Sequence, residues 1–132
     1  MKLIVVFAFL LISMILNFAQ AASKPTLICL FTDPTIRMVV LAKGEKIGQV
    51  GDMVTYEHYT TPGEMGYVTE SYVKDGALSM KVSGAAPEDV ILEVAFGKPG
   101  RDENTQTTYR NAGLLKTADD QVIVYGGCDL VP

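Results

Sequence analysis

His58 is the only histidine of this 132-residue chain, so acid–base or nucleophilic chemistry near neutral pH would turn on it. It follows Glu57 in a segment that reads as a β-strand, where neighbouring side chains point to opposite faces. Glu57 is therefore not placed to orient the imidazole. A serine nucleophile needs an oriented base within hydrogen-bond reach. Beyond Ala21 the serines are Ser23, Ser71, Ser79 and Ser83, and none sits in a strand–turn–helix elbow. A zinc site needs more His, Cys or carboxylate ligands than the chain groups together. The densest oxygen clusters, Asp102-Glu103-Asn104 and Asp119-Asp120, do not follow a calcium-loop pattern. No phosphate-cradling glycine loop and no paired-carboxylate signature stands out. The sequence predicts a non-enzymatic protein with no cofactor and no metal site.

Cys29 and Cys128 are the only cysteines. Their chemistry depends on the compartment, and the first residues speak to that. Lys2 precedes an apolar run from Leu3 to Leu16, interrupted only by Ser13, and Ala19-Gln20-Ala21 offers the small-x-small pattern of a signal-peptidase site. Residues 1–21 read as a secretory signal, and residues 22–132 as a single exported β domain. In an oxidising compartment a cysteine pair normally closes. The predicted bridge ties the first strand to the last. A redox pair would be closely spaced, which this one is not.

The chain carries 11 Lys plus Arg against 15 Asp plus Glu, and loss of Lys2 with the signal leaves it acidic. That argues against nucleic acid as a partner. No second apolar run reaches the ~20 residues of a membrane helix, so no stable span is expected after cleavage. There is no Asn-x-Ser/Thr acceptor for a glycan.

These residues must be positioned by strands. Thr26 to Phe31 is short and β-prone, and Asp33-Pro34 is a turn. Thr35 to Ala42 is apolar enough to be buried on both faces. Met53 to Tyr59 is a further strand, and Thr61-Pro62-Gly63 a turn. Tyr67 to Val73 would put Val68, Glu70 and Tyr72 on one side. Lys74-Asp75-Gly76 predicts a tight hairpin. Leu78, Met80 and Val82 alternate with Ser79, Lys81 and Ser83 at period two. Gly84 to Glu88 is a loop, and Val90, Leu92, Val94 and Phe96 form the next apolar face. Gly97 to Thr105 reads as an exposed loop, Thr107 to Arg110 as an edge strand and Gln121 to Tyr125 as a final strand. Asn111 to Ala118 is the one helical candidate. The pattern predicts an all-β domain, a small antiparallel sandwich or barrel of about seven to eight strands.

Two surfaces are candidates for function. Methionine adapts to irregular ligands and small β-barrels can enclose them, which makes Met38, Met53, Tyr56, Met80 and Phe96 a candidate apolar pocket. Rigid scaffolds display function on loops, which makes Arg101, Asp102 and Glu103 a candidate interaction loop.

Several stretches carry a resemblance: Ile47-Gly48-Gln49-Val50-Gly51-Asp52-Met53-Val54, Val68-Thr69 with Asp75, Gly76-Ala77 followed by Gly84, Val90-Ile91-Leu92, and Val122-Ile123-Val124-Tyr125. Across residues 47–125 the chain resembles the insect multiprotein-bridging-factor-two family, many of whose members are called salivary secreted peptides. The paired glycines usual near Gly84 are Gly84-Ala85 here, and the terminal cysteine pair is not a family feature. The resemblance implies a small exported insect protein without known catalytic residues, and transfers no site residue. The coactivator role in the family name conflicts with a signal sequence. The reading is a secreted, extracellular binding protein, carrying a lipid or other apolar small molecule. The alternative is an immune or salivary factor, or an inhibitor, that contacts an extracellular protein through the exposed loop.

Overall fold

The computed structural model describes residues 24–132, apart from residues 33, 34, 59, 60 and 103 and the side chains of residues 61 and 62. The expected secretory signal and the turn expected at Asp33-Pro34 lie outside the described residues. All regular structure is β: β1 (Thr26–Phe31), β2 (Ile36–Leu41), β3 (Met53–His58), β4 (Thr61–Lys74), β5 (Ala77–Ser83), β6 (Val90–Ala95), β7 (Gly100–Asp102), β8 (Thr107–Tyr109), β9 (Asn111–Thr117) and β10 (Ile123–Val131). Eight strands close into an antiparallel barrel in the order β1-β10-β9-β6-β5-β4-β3-β2, and β7 and β8 form a separate hairpin. Each barrel strand thus pairs with its neighbour in the chain, and β1 pairs with β10 to close the ring. Closure leaves no sheet edge.

The closing seam runs in register from Thr26 opposite Val131 to Phe31 opposite Gly126. Cys29 faces Cys128 directly in that ladder. The two form the expected disulfide, with their Cα atoms 4.1 Å apart, and both are fully buried.

Alternation puts one side of each strand into the barrel. Leu27, Cys29 and Phe31 of β1, Met38 and Val40 of β2, Val54, Val68, Met80, Val82, Leu92, Val94, Leu115 and Cys128 fill the interior as one cluster. A barrel of eight strands is just wide enough for side chains to fill it. Burying each of the large ones contributes about 1.5–3 kcal/mol.

Several local expectations are corrected. β2 is not buried on both faces: Ile36, Met38 and Val40 point inward, while Arg37 and Leu41 are exposed, because a barrel wall has only one covered side. The turn expected at Thr61-Pro62-Gly63 is the beginning of β4, with Thr61 already opposite His58. Proline is tolerated at the first residues of a strand. In β4 a bulge between Val68 and Glu70 shifts the register, so Val68 is buried but Glu70 and Tyr72 are exposed. The helical candidate Asn111 to Ala118 is strand β9, paired on both sides with β6 and β10. The final strand does not stop at Tyr125 but runs through Gly126 and Gly127 to Val131. The hairpin at Lys74-Asp75-Gly76 is as expected: Asp75 and Gly76 both have positive φ, 53° and 78°, as a type I′ turn requires.

Candidate functional site

The two ends of the barrel are built differently. At one end the long β2–β3 connection folds inward as a plug, organised by Asp52. This carboxylate is fully buried, and it accepts backbone N–H bonds from Lys43 at 3.1 Å, Gly48 at 2.8 Å and Gln49 at 3.0 Å. A carboxylate satisfied by three main-chain donors is a loop organiser, and it does not need a counterion. Ser71 donates its hydroxyl to the carbonyl of Gly48 at 2.5 Å, pinning the plug to β4. Gly48 has φ of +82°, and a Cβ there would meet Leu78 Cδ2 at 2.5 Å. Only glycine lets the loop sit this deep. Ile47 packs against the core.

At the other end lies a pocket of about 220 Å³. Its floor and walls are the inward side chains at the strand ends: Ile36 of β2, Tyr56 of β3, Val90 of β6, Leu115 of β9 and Val124 of β10. The β5–β6 loop supplies a rim of Ala86, Pro87 and Glu88, with Val122 opposite. His58, Lys116 and Thr117 complete the lining. Phe31, Met38 and Met80, fully buried in the interior, are not among its lining residues.

The charged groups here are held by identifiable partners. Lys116 Nζ lies 3.2 Å from Asp120 and 3.5 Å from Glu93. The hydrogen bond it donates to Asp120 and the charge of Glu93 raise its pKa. The hydroxyl of Thr117 donates to Asp119 at 2.6 Å and lowers that carboxyl's pKa. Burial raises the pKa of the Tyr56 phenol. Glu57, which follows Tyr56, points outward to Arg37 at 3.6 Å, so it does not orient His58. Among the described residues no three His, Cys, Asp or Glu side chains group to hold a metal.

The residues singled out from the sequence are not brought together. Of the apolar set, only Tyr56 lines the pocket. Met38 and Met80 are fully buried packing residues. Met53 starts β3 on the outer face, where its neighbours in register are Leu41 and Tyr67. Phe96 lies past the end of β6 and is 40% exposed. Ile36, Val90, Leu115 and Val124 carry the pocket instead. Their alternation marked them as inward-facing, but nothing local marked which end of the barrel stays open.

The stretch from Gly97 to Thr105 is not a free loop. Its β7 strand pairs with β8, and the hairpin lies flat on the outside of β9 and β10. A Cβ on Gly127 would come within 2.3 Å of the Tyr109 ring, and one on Gly100 within 2.7 Å of Ala112 Cα. Asp102 is 3% exposed, not a solvated loop charge. It accepts from the Thr32 hydroxyl at 2.5 Å and from the Asn104 and Thr105 amides at 2.9 and 3.4 Å. The Thr32 bond is the main reason its pKa is lowered. Arg101 is exposed and bonds Gln106, and Glu103 lies outside the described residues.

The fold and site therefore define an eight-stranded up-and-down barrel with a filled interior, an apolar pocket at one end, and a plug at the other beside which Val50, Tyr72, Val73 and Leu78 line a more open and more polar hollow of about 500 Å³. The chain matches no family model, no curated protein and no solved structure.

Proposed function

We propose that the protein is an exported, non-enzymatic binding protein that holds a small apolar molecule in the pocket at its open end. The observation that carries this reading is the pocket itself: a hollow lined by apolar side chains from five barrel strands, set over a packed core. Mouths of β-barrels are common ligand sites.

The volume limits the ligand. Drug-sized molecules occupy pockets of about 300–1,000 Å³, and a cavity of about 150 Å³ holds benzene. At about 220 Å³, the site suits one aromatic ring or a short aliphatic chain rather than a whole lipid. Export is supported by the secretory signal pattern and by the closed cysteine pair. Among the described residues no helix is long and apolar enough to cross a membrane. The resemblance to the insect secreted family is in keeping with this role. Its motif residues Gly48 and Asp52 build the plug and not the pocket, so it says nothing of the ligand.

The test is displacement of a fluorescent apolar probe from the purified protein, with Ala86→Trp as the blocking variant. Ala86 stands on the rim, half-buried and packed against the edge of the core. The indole is expected to fill the pocket and abolish probe binding, and urea unfolding of the variant checks that the barrel is still folded. Probe binding that survives Ala86→Trp would place the site elsewhere.

A further inference from the structure

The loops at the pocketed end are acidic. The β5–β6 and β9–β10 connections carry Glu88, Asp89, Asp119 and Asp120, all exposed, and neither contains a lysine or arginine. Among the described residues the plugged end is the reverse: Lys24, Lys43, Lys46, Lys74, Lys98 and Arg110 are exposed there, against Glu45, Asp75 and Asp129. The sheet topology sorts the charge of an acidic chain into a negative mouth and a positive base. A rim of one charge sign beside low-dielectric walls concentrates ligands of the opposite sign.

Not all of these carboxylates are available. Asp120 is held by Lys116 at 3.2 Å, and Asp89 lies 3.9 Å from Lys81. Glu88 differs. It lines the pocket, and no described cation lies within ion-pair distance of it. Lys116, the one lysine of the lining, is already shared between Glu93 and Asp120. The pocket thus offers one uncommitted carboxylate and no uncommitted ammonium or guanidinium group. An aromatic wall is also present in Tyr56, whose ring face attracts cations.

From this charge complementarity we infer that the ligand is a small cationic amphiphile, an apolar body of about one ring bearing a protonated amine. The inference rests on the pocket reading above and narrows it. A fatty acid or other apolar carboxylate would bring its charge against Glu88 and the acidic loops, so it is the disfavoured class.

The test compares three probes of one size: phenethylamine, phenethyl alcohol and hydrocinnamate. Affinities are read by calorimetry at low and high salt. An exposed charge pair contributes little, so the amine should bind about threefold to fivefold more tightly than the alcohol at low salt, and hydrocinnamate more weakly than either. Salt should compress this order. In Glu88→Gln the amine-to-alcohol ratio should fall toward one, while Lys46→Gln at the far end should leave it unchanged. Alcohol binding with no amine preference, or a preference indifferent to Glu88→Gln, overturns the charge inference and leaves the pocket standing. Failure of all three probes to bind overturns both.

Discussion

Removing the Cys29–Cys128 bridge should cost this barrel much of its stability, and the cost should come mainly from the unfolded chain. The cysteines are 99 residues apart in sequence, so the bond closes almost the whole domain into one loop. For a closed loop of about 100 residues the chain-entropy model gives about 4.7 kcal/mol. Domains are stable by only about 5–15 kcal/mol, so the loss is a large fraction of the total. The folded seam has other support, since six residue pairs join β1 and β10 in register. A Cys29→Ala/Cys128→Ala variant should therefore still fold as the same barrel, with the small added cost of two missing sulfur atoms. Urea unfolding of the oxidised protein and the variant measures the difference, expected at about 4–5 kcal/mol. The variant should also show the larger m-value, because its unfolded chain exposes more surface. Native-state hydrogen exchange locates the effect. If the bridge acts on the unfolded chain, the slowest amides of every barrel strand lose protection by the same amount. A loss below about 1 kcal/mol, or one confined to β1 and β10, would show that the bridge does not act through the unfolded chain.

Gly127→Ala should lift the β7–β8 hairpin, since its Cβ would stand 2.3 Å from the Tyr109 ring; overpacking of this kind costs about 1–3 kcal/mol, and exchange at Gly100–Asp102 should speed up before that of β9. Asp102 has a pKa lowered by the Thr32 hydroxyl, so its contribution is present above the unfolded carboxyl pKa of about 3.9 and is lost as pH falls through the lower folded value. Acid titration of stability should therefore be shallower in Asp102→Asn than in the natural chain below about pH 4, and an identical acid limb would contradict the Thr32 contact. Met38→Ala should cost about 2–5 kcal/mol as a fully buried truncation, whereas Met53→Ala on the outer wall should cost well under about 1 kcal/mol; comparable losses in urea titrations would show that the inward and outward assignments are wrong.

What could be read from the chain was set by how local each signal is. The β4–β5 hairpin was legible because Asp75-Gly76 carries its own turn chemistry, and β5 because Leu78, Met80 and Val82 alternate without interruption. The bulge between Val68 and Glu70 has no such mark, and it alone turns Tyr72 from an expected partner of Val68 to the opposite face. β9 was illegible for a different reason. Asn111-Ala112-Gly113-Leu114-Leu115 lacks β-branched residues, and its strand conformation comes from pairing with β6 and β10 on both sides. Gly126-Gly127 fall beyond the expected end of the final strand, yet the fold places Phe31 against one glycine and Tyr109 against the other. The cysteine pair was legible because compartment and count decide it. The pocket was not, since its position depends on which end Asp52 plugs, and that is settled by contacts between residues distant in the chain.

The proposed ligand, a small apolar molecule, sits in the barrel mouth formed by Ile36, Tyr56, Val90, Leu115 and Val124. Amide chemical shifts followed during titration with phenethylamine test this placement most directly. Saturable shifts are expected at those residues and at Ala86 and Glu88, with Gly48, Val50 and Tyr72 at the plugged end unmoved. Shifts centred on the plug or on the outer wall around Met53 and Tyr67, or none at all, would contradict it.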